Sequence, residues 1–399
     1  MSTNKSEESV LKNLPLRPLL ALTALCAGQA AFGAEPTDVF QLRASAGVEH
    51  DNNVERAANG GTTDQIGILS VGLAADKRIG LQRLRADVEA TAYRYQDVDS
   101  LDYNTINYAL AWDWSITPRF HGVASADRRQ TREVTTDSVT LFNRVGRRTE
   151  RNELLEGVYE AGPWRLLGGV QHTRSESTEP RSWDASPKVR SARIGLGYEL
   201  ASGTSLIGRL RRGDGEYTDP TPGAPTGDFR ETEADLVLKW PLTGKTAVEA
   251  RLGHLKREHD TAPQMDFSGM VGGASVNWEI TGKTRLVAGV SHDLVASGLF
   301  TGGHVEADRI YLQPLWQATA KTAFNLRYDR SVRKWKDVPV VSPDQGRRDV
   351  VEFISAGVDW EARRNLTVSS SIRREKLDTS LPSSSYSASI FAIAVKAKF

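Results

Sequence analysis

The 399-residue chain has one cysteine, Cys26, and no apolar run that approaches the ~18 residues a membrane-spanning helix needs. With no second cysteine it can form no internal disulfide, so an exported chain must be held together in another way. An excess of one charge is also missing. Its 51 Lys and Arg balance 50 Asp and Glu, for a net charge of +1, which argues against the basic patch expected of a nucleic-acid binder. The seven histidines are scattered, without a pair at metal-ligand spacing, and no Gly-x-Ser-x-Gly elbow occurs. Ser291, His292 and Asp293 are adjacent in "GVSHD", but on a strand the His faces away from the other two, which excludes a triad. "GDGEYTD" (213–219) carries Asp214, Glu216 and Asp219 and reads as a solvated loop rather than a cation site. No enzyme, metal or cofactor is expected.

The longest apolar stretch, "PLLALTALCAGQAAFGA", lies at 18–34, behind Lys12 and Arg17, and ends in small residues. This is the pattern of a cleaved secretory signal peptide, assigned to residues 1–34. Cys26 lies inside it and follows Leu25 rather than a small residue, which argues against a lipid anchor. The mature chain, 35–399, is read as one domain.

From residue 38 onward the period is two. Phe40, Leu42, Ala44, Ala46 and Val48 alternate with polar neighbours, as do Leu84, Ala86, Val88, Ala90 and Ala92. Successive strand side chains point to opposite faces, so each segment has an apolar and a polar side. About 18 such segments occur, most of them roughly ten residues or longer, the length a tilted strand needs to cross a bilayer. Tight connections ("ITPR", "AGP", "LTGK", "TAK") alternate with longer polar ones such as 51–63, 131–147 and 214–228. Short turns on one side and long loops on the other predict an all-β fold, a transmembrane antiparallel β-barrel of the outer-membrane type with short periplasmic turns. The loops at 131–147 and 214–228 are candidate constrictions, and no stretch is long enough for a separate plug.

One repeat stands out. "WPLTGKT" (240–246), "WEITGKT" (278–284) and "WQATAKT" (316–322) place Trp240, Trp278 and Trp316 at intervals of 38 residues, with Trp360 after a further 44. Gly282-Lys283-Thr284 resembles the tail of a phosphate loop, but Asn277 stands where its first glycine belongs, and a nucleotide site would not recur. The repeat is instead a hairpin, its Trp at headgroup level and its Gly supplying a positive φ. Trp114, Tyr159, Tyr198, Trp240, Trp278, Trp316 and Trp360 are assigned to a periplasmic aromatic girdle. The last segment, "SIFAIAVKAKF", puts Phe391, Ile393, Val395 and the terminal Phe399 on one face, which resembles the signal read by the barrel-assembly machinery.

The apolar faces mix Ala and Gly with aromatics, which suits lipid contact, so the polar faces line the lumen. Inward parity falls on Arg43, Arg83, Arg85, Arg165, Arg193, Arg209, Arg211, Arg251, Arg285, Arg327 and Arg373, interleaved with carboxylates such as Glu49, Asp87, Asp113, Glu231, Glu233, Asp235 and Asp329. Two readings stand open: cross-strand pairing that stiffens the wall, or an arginine surface for an anionic or polyhydroxylated solute.

"RYQDVDSLDYNTINYALAWDWSITPRF" (94–120) and "AGVEHDNNVERAANGG" (46–61) resemble the EpsL-type outer-membrane family of exosortase-associated extracellular polysaccharide biosynthesis. His50-Asp51-Asn52-Asn53 departs modestly from that family's Asp-Asp-Asn. The resemblance implies a polysaccharide-export channel in the bacterial outer membrane and supplies no site residues. A diffusion porin and a non-conducting barrel anchoring a secretion assembly are the alternatives. Expected partners are outer-membrane lipid and lipopolysaccharide, the polysaccharide, the assembly machinery, and periplasmic polysaccharide-secretion proteins.

Overall fold

The computed structural model describes residues 39–58, 60–138, 140–179, 186–218, 228–296 and 302–399. The expected signal peptide, with Cys26, lies outside them. Eighteen strands form: β1 (Phe40–Asp51), β2 (Asp64–Ile79), β3 (Gln82–Tyr95), β4 (Tyr103–Thr117), β5 (Phe120–Thr136), β6 (Asn143–Ala161), β7 (Trp164–Ser177), β8 (Pro187–Glu199), β9 (Ser205–Tyr217), β10 (Phe229–Thr243), β11 (Thr246–His259), β12 (Phe267–Thr281), β13 (Thr284–Ala296), β14 (His304–Thr319), β15 (Thr322–Lys336), β16 (Arg348–Arg363), β17 (Leu366–Thr379) and β18 (Tyr386–Lys398). Each pairs antiparallel with its neighbours in sequence, and β1 pairs with β18, so the sheet closes on itself. No α-helix occurs among the described residues. Closure gives each strand a neighbour on both sides and leaves the sheet no open edge, as a span through hydrocarbon demands. The seam runs to the last residue: Leu42 and Phe399 exchange both backbone hydrogen bonds, at 3.0 and 2.8 Å.

The connections are asymmetric, as the sequence predicts. Seven of the eight turns on the side of the termini have two residues, such as Gly244-Lys245 and Ala320-Lys321; the eighth spans 200–204. Strand β2 runs on through "ADKRIG" (75–80) as far as Ile79, so its turn is Gly80-Leu81. In the Trp hairpins the expected positive φ at glycine is not found at Gly244 or Gly282. The threonine holds the turn instead: the backbone N–H of Lys245, Lys283 and Lys321 donates to the hydroxyl of Thr243, Thr281 and Thr319, at 3.1, 3.1 and 3.2 Å. This explains why Ala320 can replace the glycine.

Alternation sorts the faces. Leu69, Val71, Leu155, Val170, Ile194, Leu210, Ile310 and Ile372 are exposed and form the outer apolar surface. Register sets the girdle at one height, because Trp278, Trp316 and Trp360 each stand opposite the first residue after the preceding turn, Thr246, Thr284 and Thr322. Tyr159, Tyr198 and Trp240 are likewise exposed, Trp114 packs edge-on against Phe120 at 5.2 Å, and Trp164 extends the belt beside Tyr198. Phe391, Ile393, Val395 and Phe399 share the outer face, with all four exposed.

Trp114 lies in a notch. A Cβ on Gly122 would stand 2.5 Å from its ring and 2.0 Å from the Glu156 carbonyl oxygen, whereas a Cβ on Gly168 would meet nothing within 4 Å. Gly122→Val is expected to destabilise the barrel by about 1–3 kcal/mol through overpacking. Gly168→Val should leave the midpoint of urea unfolding in lipid vesicles, read by tryptophan fluorescence, close to wild type.

Candidate functional site: a constriction inside the barrel

A barrel of 18 strands is wide enough to leave an aqueous bore unless something enters it. Two segments do. The first is the loop 52–63. Its Val54 is fully buried against Ile66, Ile68 and Tyr95 on the inner faces of β2 and β3. The backbone N–H of Val54 donates to Thr62 O at 2.9 Å, which folds the loop back on itself.

The second is the β5–β6 hairpin. β4 and β5 pair only as far as Tyr108 and Arg128, leaving the upper end of β4 free of β5. Side chains replace the lost ladder: the Arg128 guanidinium donates to Ile106 O, and the Gln130 backbone N–H donates to Asn107 Oδ1 at 2.7 Å. The hairpin passes inside the wall, so the side of β5 and β6 that faces lipid lower down now meets inner-wall residues. The Arg147 guanidinium stacks 5.2 Å from the Tyr103 ring centre, and Arg132 lies 6.0 Å from that of Tyr95. The tip crosses to the far wall. Val134 packs on Val351, Leu377 and Tyr386, the Asn143 amide donates to Arg56 O and Ser384 O, and Ser384 Oγ donates to Leu141 O. The expectation that 131–147 turns inward holds; most of 214–228 lies outside the described residues.

Loop and hairpin meet at Arg56, which is fully buried and at φ 57°. Its guanidinium bridges Asp51 at 2.8 Å on β1 and Glu375 at 2.9 Å on β17. Arg132 reaches Asp51 at 3.5 Å and donates to Val54 O, while Arg373 lies 3.1 Å from Glu375 and 3.5 Å from Glu49. Burial alone pulls the Arg56 pKa down, but Glu375 and Asp51 outweigh it and hold it above the ordinary value. Beside this knot, Arg347 pairs with Asp349 at 2.9 Å and Asp344 at 3.0 Å and stacks 4.1 Å from the Trp335 ring centre. A small polar pocket opens between Arg132, Glu133, Arg347, Asp349 and Tyr386.

The eleven arginines singled out by parity lie on the inner face, and their partners are carboxylates in all but one case. Arg43 pairs with Asp87 at 2.6 Å, Arg83 with Asp76 at 2.6 Å, Arg85 with Asp113 at 2.7 Å, and Arg193 with Glu156 at 2.6 Å. Arg165 reaches Glu199, and Arg209 lies 2.8 Å from Asp235. Arg211, Glu231, Glu233, Arg251 and Asp293 form a continuous network across β9, β10, β11 and β13. Arg327 reaches Asp329 at 3.4 Å, and Arg285 donates to Asn277 Oδ1 at 2.7 Å. Of the two readings left open, the geometry realises cross-strand pairing. As expected, His292 points outward, to Asp308 at 2.7 Å, while Asp293 points inward to Arg251. No group of His, Asp and Glu suited to a metal occurs among the described residues.

Residues 238–399, from the end of β10 through β18, match a family model described as "Putative beta-barrel porin 2". The chain is a porin-like integral outer-membrane β-barrel. No curated protein matches it. Among solved structures it is similar to the outer membrane protein OpdK from Pseudomonas aeruginosa, with 11% identity, 90% of this chain and 99% of that one covered, and a TM-score of 0.49. A BenF-like porin from Pseudomonas fluorescens Pf-5 gives 10%, 90%, 99% and 0.49. OccK2 (OpdF) of Pseudomonas aeruginosa gives 12%, 90%, 98% and 0.49. These likenesses do not bear on what passes through this barrel.

Arg56, Arg132 and Arg347 escaped the sequence reading. Arg56 and Arg347 sit in loops, where alternation gives no face, and Arg132 has outward parity that only the turned-in hairpin reverses. One signal was present: Ile66 and Ile68 face inward while Leu69 and Val71 face outward, so this end of β2 is apolar on both sides. Arg56→Ala leaves Asp51 and Glu375 buried without their shared cation and is expected to cost about 3–5 kcal/mol. Equilibrium unfolding of the variant against wild type measures this.

Proposed function

We propose that the chain is a porin, a passive channel for small polar solutes across the outer membrane, whose bore is narrowed by the loop 52–63 and the β5–β6 hairpin. One observation carries this reading: the knot of Arg56, Asp51, Arg132 and Glu375 lies inside the barrel and ties β1, β5 and β17 together. A buried, bonded cluster in the bore suits a filter for small molecules better than an exit for a chain of sugars. The match to a porin family model points the same way. On this reading the paired arginines of the lower wall offer a solute weak, distributed contacts, since conduction fails if one site holds too tightly. Their guanidiniums have further donors to give, because a carboxylate seldom occupies all five N–H groups.

Polysaccharide export is the second reading, carried by the sequence resemblance at 46–61 and 94–120. The first of these segments runs into the loop that enters the bore, so on that reading the loop has to swing aside for the polymer. A barrel that anchors a secretion assembly needs no bore at all.

Single-channel conductance of the refolded protein in a planar bilayer separates the three. The porin gives discrete openings that polysaccharide fragments from the producing cell do not block, and Arg132→Ala, which loosens the hairpin from the loop, raises unit conductance roughly twofold. Openings blocked by the fragments favour export. Silence in both wild type and variant favours the anchor.

A further inference from the structure

The outer surface carries a feature that no lumen function uses. In strand register, Arg128 on β5 stands directly opposite Arg151 on β6, Arg151 opposite Arg174 on β7, and Arg174 opposite Lys188 on β8. Four cations thus occupy one rung of four consecutive strands. Their parity is that of the lipid-facing Leu155, Val170 and Ile194, so they lie on the outside of the barrel. Like charges directly opposite each other destabilise a sheet. The neighbouring rung, two residues nearer the short turns, mixes both signs: Glu153 faces His172, His172 faces Arg190, Asp214 faces Arg190 and Arg230, and Arg230 faces Glu258.

Local carboxylates neutralise the strip only in part. Arg174 pairs with Glu176, and Lys188 pairs with Glu216 at 2.6 Å. The Arg128 guanidinium donates to the Ile106 carbonyl. Arg151 is exposed and makes no hydrogen bond or ion pair among the described residues. Strand spacing makes the strip about 15 Å long. The four residues lie eight to eleven positions from the short-turn ends of their strands. At ~3.3 Å per residue and a tilt near 40°, that is roughly 20–28 Å above the periplasmic end, the upper edge of an outer-membrane apolar band. Below the rung of Glu153, His172 and Arg190 lie exposed Leu155, Leu166, Val170 and Ile194.

We propose that this strip is a binding site for the phosphorylated headgroup of an outer-leaflet glycolipid, whose acyl chains lie along the apolar surface below. Guanidiniums side by side give a phosphate several charge-assisted hydrogen bonds, and the bound anion removes the repulsion within the rung. The apolar residues beneath are what select a lipid over a soluble anion. The assignment rests on the outer-membrane location of the barrel and is independent of which solute the bore conducts.

Native mass spectrometry of the full chain, refolded and released from detergent, tests the site. The probes are bisphosphorylated lipid A, the same lipid without phosphates, and inorganic phosphate as competitor. Wild type should retain the bisphosphorylated lipid at least roughly tenfold more than the dephosphorylated one, and Arg151→Gln with Arg174→Gln should abolish that preference. Arg151→Lys with Arg174→Lys should keep most of it. Arg374→Gln with Lys376→Gln, a pair on the outer face of β17, should leave it unchanged. Single Arg151→Gln, which breaks no bond, serves if the double variant does not show the heat-modifiable migration of a folded barrel. Equal retention of the two lipids by wild type, or an unchanged preference in the glutamine variants, overturns the proposal. So does displacement of the lipid by inorganic phosphate, which would mark a site for soluble anions.

Discussion

Every backbone N–H and C=O in the wall must find a partner within the protein, because hydrocarbon offers none. The structure depends on that constraint. It forces the sheet to close, and closure here uses the whole of β18, ending in the paired backbone bonds of Leu42 and Phe399. The same rule explains the side chains at a break in the ladder. Where β5 leaves β4, Arg128 and Asn107 take over the orphaned Ile106 carbonyl and Gln130 amide. A wall strand can turn into the bore only if its former neighbour is satisfied by other means.

Charge follows from closure as well. A barrel with lipid around its middle keeps the ionisable groups at that height on its inner face, where they are neutralised by pairing. In the lower wall the pairs run from strand to strand, as with Arg43 and Asp87 or Arg85 and Asp113. At the constriction they tie the inserted segments to the wall, with Arg56 from a loop bridging carboxylates on β1 and β17. The first kind stiffens the wall. The second fixes a loop that would otherwise be free to leave, because separating a buried guanidinium from its carboxylates exposes each to an uncompensated burial cost. Constriction and wall are therefore built from the same chemistry and differ in burial.

The outer surface divides by height. Near the short turns it is aromatic, with indoles held level by the register of the hairpins; along the middle it is aliphatic; toward the long loops it becomes charged. This layering matches the membrane's own sequence of interface, hydrocarbon and headgroup. Several charges of the upper layer are paired across strands, as Arg330 is with Glu352 and Lys334 with Asp308. The cationic rung on β5 to β8 departs from that habit beside the hairpin that enters the bore.

The sequence by itself determined the strands, their number and their faces, because a period of two needs no tertiary information to be read. All eighteen segments predicted from alternation are present, the Trp hairpins and the outward Phe391, Ile393 and Val395 among them. It also placed eleven arginines on the inner face, but left their partners open, since pairing depends on register and register is set by the closed sheet. The glycine in the Trp turns was misread for a local reason: a threonine hydroxyl holding the turn is as short-range as a positive φ, and the two are hard to tell apart in sequence. Only the tertiary structure decided the constriction. Arg56 has no parity in its loop, and the parity of Arg132 is reversed by a hairpin that leaves the wall. Alternation records which way a side chain points from its own strand; it does not record that the strand has moved inside the barrel.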